Sequence, residues 1–229
     1  MKHKILISLD QNTNGSELLN NIKRLLNSSH SKILTGLSLS KYLDGKLMLA
    51  SSQVEKSYHG TSEDALIDHR VDLEIETEKV AKELGMEFKM HKKSIDDNTL
   101  SALTTVADLL ILEKKNVSKY HDAEVLSDLV KLAACPVLIV TDKAKFENLL
   151  LVHDGCNSSV QAVKHFIAIF NQDLRSLPVS VLTSHPKSKR DIESEKVFID
   201  YVKLFFNNIG IQLMTDEPEL YGQKYRVCI

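Results

Sequence analysis

Lys4–Asp10 reads KILISLD, and Asn148–Asp154 reads NLLLVHD. Each is a nearly unbroken apolar run that closes on an aspartate. A strand buried on both faces has this composition, because helices cover both sides of a parallel sheet and leave no polar face. The two runs align at a constant offset, and the apolar positions after them align too. Leu18, Leu19, Ile22, Leu25 and Leu26 answer to Ala162, Val163, Phe166, Ile169 and Phe170. That spacing is one apolar stripe of a helix.

Outward from the first run, the pattern predicts strands at Lys4–Leu9, Ile33–Leu39, Glu87–Met90, Asp108–Leu112 and Pro136–Val140. Between them it predicts a helix capped by Ser16, a long helix over Thr61–Leu84 stopped by Gly85, and helices at Asp96–Val106 and Glu124–Leu132. Tyr42 to Gly60 is polar and irregular. Five βα steps argue for an α/β fold, a doubly wound parallel sheet with helices on both faces. Outward from the second run, a strand is expected at Val179–Thr183. A helix follows at Lys196–Ile209, with Val197, Tyr201, Leu204 and Phe205 on its inner stripe. Gly210 stops it before a strand at Ile211–Met214.

The return of the opening pattern reads as an internal repeat. It divides the chain into domains at 1–143 and 147–229, joined by a short charged linker, with the second copy incomplete. Thr215–Ile229 is too short for a fourth and fifth βα step, though Tyr225–Ile229 (YRVCI) suits one more strand. The segment before it can stretch roughly 33 Å, and stepping across three strands needs about 15 Å. The first strand of the second half is expected to be an apolar edge, covered by this tail or by a partner chain.

Composition narrows the function classes. The chain has 229 residues and a formal net charge of −2, so it lacks the general basic footprint of a nucleic-acid or anionic-membrane binder. No apolar run approaches the roughly 18 residues that span a bilayer, and MKHKILISLD does not read as a signal peptide. Three unclustered cysteines (Cys135, Cys156 and Cys228) argue against a disulfide scaffold and fit a cytoplasmic location. Cys135 reads as core. Cys156, near a helix start, is a candidate for a lowered thiol pKa, although no thiol-enzyme signature surrounds it. His59, Asp64, Asp68, His69 and Asp72 lie close in sequence but read as an exposed charged helix rather than a metal site. His153-Asp154-Gly155 is a weak acid–base pair, and Lys187-Ser188-Lys189-Arg190 reads as a solvated loop.

Four stretches together resemble the universal stress protein family in its tandem form: KILISLD, NLLLVHDG, ADLLIL, and AACPVLIVT around the Ala134-Cys135-Pro136-Val137 junction. The resemblance covers Lys2–Asp142 fully and Phe146–Met214 in part. It implies strand order 3-2-1-4-5, pairing through fifth strands, and ATP binding at the carboxyl ends of the strands in many members. It also implies that Asp10, Asp154 and Gly155 match positions beside the adenosine. The plainer reading makes each aspartate a cap for the helix turn that follows it.

ATP-binding members of that family carry G-x-x-G-x9-G-[ST] after the fourth strand, where glycine lets backbone amides close on phosphate. Here no glycine occurs from Glu113 to Pro136. Glu113 and Asn116 stand in place of the first two glycines, and Ala123-Glu124 stand near the last pair. Lys114, Lys115 and Lys119 partly offset the carboxylate but read as a solvated loop.

The reading is therefore a cytoplasmic, non-enzymatic stress-response protein with nucleotide binding lost or weak and no cofactor. It would act through a homodimer, a protein partner or a small ligand. The alternative is an ATP-binding stress protein with a diverged cleft near Asp10 or Asp154. A nucleotidyl transferase is a third possibility, without the HxGH or glycine-rich signature of that class.

Overall fold

The computed structural model describes residues 2–10, 13–27, 29–40, 42–44, 63–114, 123–140, 147–183 and 189–213. The chain divides into two compact units, one of Met1–Lys23 and Ser28–Ala144, the other of Arg24–Asn27 and Lys145–Ile229.

The first unit holds strands β1 (Lys2–Ser8), β2 (Ser31–Leu37), β3 (Glu87–Met90), β4 (Leu109–Glu113) and β5 (Val137–Val140). They form one sheet in the order β3-β2-β1-β4-β5, and every pairing is parallel. The helices between them are α1 (Gly15–Leu25), α2 (Glu63–Glu83), α3 (Asp97–Thr105) and α4 (Ala123–Leu132). On β1, Ile5, Leu6 and Ile7 are all 0% exposed, so alternate residues are buried on both faces of the sheet. Leu6 packs in a cluster with Leu37, Leu110, Leu112, Leu100 of α3 and Leu129 of α4. In α1, Leu18, Leu19, Ile22 and Leu25 are buried as one stripe.

Helix ends carry their own chemistry. Asn14, not Ser16, caps α1, its side-chain oxygen accepting the Glu17 amide at 3.0 Å. Ser16 lies one position inside the helix and donates instead to Glu76 at 2.8 Å. Asp96 caps α3 by accepting from the Thr99 amide. At the end of α2, Gly85 adopts φ +72°. Its amide bonds to Lys82 and the Met86 amide bonds back to Ala81. That double closure is the Schellman arrangement, which needs the left-handed residue that glycine supplies most cheaply.

The second unit holds β6 (Leu149–His153), α5 (Asn157–Ile169), a 3-10 turn at Gln172–Ser176, β7 (Val179–Thr183), α6 (Lys189–Lys203) and β8 (Ile209–Leu213). Its three strands are parallel in the order β6-β7-β8. The antiparallel bridge of Leu26 to Phe170 also lies within this unit. Two expectations are corrected here. The last helix runs Lys189–Lys203 instead of Lys196–Ile209: the amides of Leu204 and Phe205 turn back to the carbonyls of Tyr201 and Val202 and close it, and Gly210 lies inside β8. Its buried stripe is Phe198, Val202 and then Phe206, while Val197 and Leu204 are 70% and 76% exposed. Two apolar stripes compete on this segment; the buried one carries Phe198 and Phe206, and the other carries Tyr201 and Phe205.

The expected apolar edge strand is β6: among the described residues it has a neighbour on one side only, and its Leu149, Leu150 and Leu151 are 0–2% exposed. The exposed apolar edge residues are Ile211 and Leu213 of β8. The tail residues Thr215–Ile229 proposed to cover an edge lie outside the described residues.

Candidate functional site

In the first unit the strand order reverses between β1 and β4. Open α/β sheets hold ligands outside the carboxyl ends of their strands at such a reversal. Both strands end there in a buried carboxylate. Asp10, two residues past β1, is 6% exposed, and Glu113, the last residue of β4, is 4% exposed.

Asp10 is tied on both oxygens. The Ser8 hydroxyl donates to Oδ2 at 2.8 Å and the Ser40 amide donates to Oδ1 at 2.9 Å. Its own amide donates to Thr13 Oγ1 at 3.0 Å, and its carbonyl accepts from the Thr13 amide at 2.8 Å. A buried carboxylate persists only with such donors. Asp10 therefore does not cap α1, as the plainer reading held. It binds the end of β1 to the chain leaving β2. Beside it, the Tyr42 hydroxyl donates to Asp97 Oδ1 at 2.9 Å at the start of α3. Burial first, and then that bond to Asp97, pushes the Tyr42 phenol well above its ordinary pKa.

Lys114 follows Glu113 and is exposed. Lys115, Asn116 and Lys119 lie outside the described residues, and the side chains of Ala123 and Glu124 are likewise outside them.

In the second unit the corresponding strand end is His153-Asp154-Gly155-Cys156. Asp154 is exposed and accepts the Cys156 amide on Oδ1 at 2.9 Å. That bond is the largest cause holding its carboxyl below the ordinary value. Gly155 has φ +84°, and a β-carbon there would meet nothing within 4 Å. Its glycine serves the backbone torsion alone. Cys156 occupies the cap position of α5 without a side-chain cap bond, and it is exposed. Cys135, by contrast, is buried, and burial pushes its thiol up to about 11.

His153 is 5% exposed. Its ring stacks on Phe198 of α6 at 4.1 Å, and Nδ1 lies 2.7 Å from Ser159 Oγ. The Ser159 hydroxyl donates to the Cys156 carbonyl at 2.8 Å. With its hydrogen used there, it accepts from Nδ1–H of a neutral ring, a tautomer inferred from this network. Burial lowers the His153 pKa, opposed by Asp154 and Glu195. Thr183, the register partner of His153 on β7, is 1% exposed, and its hydroxyl has no hydrogen-bond partner.

Asp10 thus belongs to the first unit, and Asp154 and Gly155 to the second. Ser40 and Ser159, the partners of Asp10 and His153, escaped the sequence reading. Ser40 is thirty positions from Asp10, with no local signal linking them. Of the suggested metal ligands, His59 and the side chains of Asp64, Asp68 and His69 lie outside the described residues, and Asp72 is exposed. Among the described residues no group of three or more His, Cys, Asp and Glu is arranged to hold a metal ion. No helix among them is long and apolar enough to cross a membrane.

No family model and no curated protein matches this chain. Among solved structures, ligand-free aspartate transcarbamoylase from Trypanosoma cruzi aligns with 98% of this chain at 9% identity and a TM-score of 0.24. The alignment spans 60% of the transcarbamoylase chain. The YdjI aldolase from Escherichia coli K12 aligns with 97% of this chain and 78% of its own, at 14% identity and a TM-score of 0.16. Similarity at these scores carries no inference about fold or function.

Proposed function

We propose that this chain is a non-enzymatic protein of the universal stress type in which the grip on a nucleotide triphosphate has been lost. It would act in the cytoplasm through a homodimer, a protein partner or a small ligand. The second unit would be a shortened copy of the first, since each begins with a buried strand, a terminal aspartate and two further parallel strands in series.

One observation carries the functional reading: Glu113, the last residue of β4, puts a buried carboxylate at the sheet reversal, where ATP-binding members of the resembled family have a glycine. A phosphate approaching a carboxylate to about 4 Å is opposed by about 4 kcal/mol at an effective dielectric of 20. Both Asp10 oxygens are also occupied by Ser8 and Ser40. The missing glycines between Glu113 and Pro136 support the same reading.

Thermal unfolding with millimolar MgATP tests it. A ligand at 100 times its Kd stabilises by about 2.7 kcal/mol. The expected result is no shift in Tm. A shift abolished by Asp154→Ala would overturn the reading in favour of an ATP site at the Asp154-Gly155 turn, and turnover to ADP would make the protein an enzyme.

A further inference from the structure

The amino end of the sheet in the first unit gathers basic groups that the proposed function does not use. His3 on β1 is 5% exposed, and neither of its ring nitrogens has a hydrogen bond. His30, in the turn before β2, sets its ring edge-on to His3 at 4.9 Å and 88°. Its Nδ1 is buried and also lacks a hydrogen bond. Lys32 of β2 is 7% exposed and is the register partner of His3. Its ammonium reaches the His30 carbonyl at 3.0 Å.

We propose that His3 and His30 form a proton-coupled pair that keeps the amino ends of β1 and β2 closed while the rings are neutral and loosens them when both are charged. A proton on His3 creates a second cation beside Lys32, on strands about 5 Å apart. Like charges placed opposite one another across strands are destabilising. The acidic group facing this proton is Asp108, just before β4, with Oδ2 at 3.4 Å from His3 Nδ1. That oxygen already accepts the Lys4 amide at 2.8 Å. Asp108 can balance a first proton by turning toward His3, at the cost of a bond that starts β1 beside β4. Among the described residues no carboxylate is ion-paired with His30 to balance a second proton there.

The other charges around the pair add to the effect. Lys23 of α1 faces Lys32, whose ammonium is held below its ordinary pKa first by burial and then by Lys23. His30 is held low first by burial, then by His3, the amino-terminal charge and Lys32. Lys2 is held outward by Glu87 at 2.9 Å, with both side chains exposed. Charge on His30 is therefore opposed by its neighbours, and a proton there strains this corner.

Ring titration by NMR, with hydrogen exchange on the same samples, tests the pair in the full chain. His3→Gln is expected to raise the midpoint of His30. Amides of β1 and β2 near His3 and Lys32 should lose protection between about pH 7.5 and about pH 5, which bracket the ordinary histidine value. The loss should be about tenfold for each pH unit of coupling, and absent in either variant. Should His3→Gln not fold, His30→Gln carries the test alone, since His30 sits half-buried in a turn. Independent titration of the two rings, or protection unchanged on acidification, overturns the proposal.

Discussion

The Asp10 carboxylate accepts the Ser40 amide at 2.9 Å, across thirty residues of chain. The bond joins the end of β1 to the segment leaving β2. It places a structural duty on the residue that the family resemblance would assign to a ligand.

Removing that carboxylate should therefore destabilise the first unit with no ligand present. A hydrogen bond to a charged group contributes about 1.5–3 kcal/mol, so Asp10→Ala should cost at least that amount. Ser8→Ala, which removes one of the two donors, should cost less. Denaturant midpoints at constant m-value check both. An Asp10→Ala protein as stable as the parent would mean that the carboxylate is held for another purpose.

His153 gives the second unit a pH dependence of known sign. Burial, the largest influence, lowers its pKa against the opposing pull of Asp154 and Glu195. The folded state therefore binds this proton less readily than the unfolded chain, whose histidines titrate near about 6.5. The stability associated with neutral His153 is present above that value and is lost as pH falls through the folded-state pKa. Replacing His153 with Phe keeps a ring against Phe198 and removes the titration. Its unfolding midpoint should fall less steeply below about pH 6.5 than that of the parent; equal slopes would refute the assignment.

Gly36 is limited by space. A β-carbon there would lie 2.6 Å from Met90 Sδ and 2.8 Å from Leu9 Cδ1. Overpacking a core typically costs about 1–3 kcal/mol, and Gly36→Val should fall in or above that range. Circular dichroism during thermal unfolding reads the loss, and a neutral Gly36→Val would mean that the Met90 and Leu9 side chains swing aside without penalty.

The first unit was largely legible because its strands are apolar runs and its turns carry strong signals. Glu87–Met90 and the Gly85 stop were placed correctly, since a glycine after an apolar helical stripe has few other uses. Boundaries moved by a residue or two where a cap sits: Asn14 displaced Ser16 because its side chain reaches the Glu17 amide from outside the helix. The last helix was misread for a physical reason. Val197, Tyr201, Leu204 and Phe205 on one side and Phe198, Val202 and Phe206 on the other are both apolar at helical spacing, and periodicity alone does not rank them. At the candidate site, Asp10 and Asp154 each close an apolar run in the sequence. In the structure one is buried and locked by distant donors, while the other is exposed and bonded to its own turn. Long-range partners such as Ser40 leave no periodic trace.

Isothermal titration of MgATP into the unmodified protein addresses the central claim most directly, because it reads affinity and stoichiometry at any cleft in the folded chain. With the Glu113 carboxylate buried at the sheet reversal, the account predicts no saturable heat up to millimolar nucleotide. A saturable one-site isotherm with micromolar Kd, weakened when the phosphates are trimmed to give adenosine, would show that the triphosphate is gripped after all.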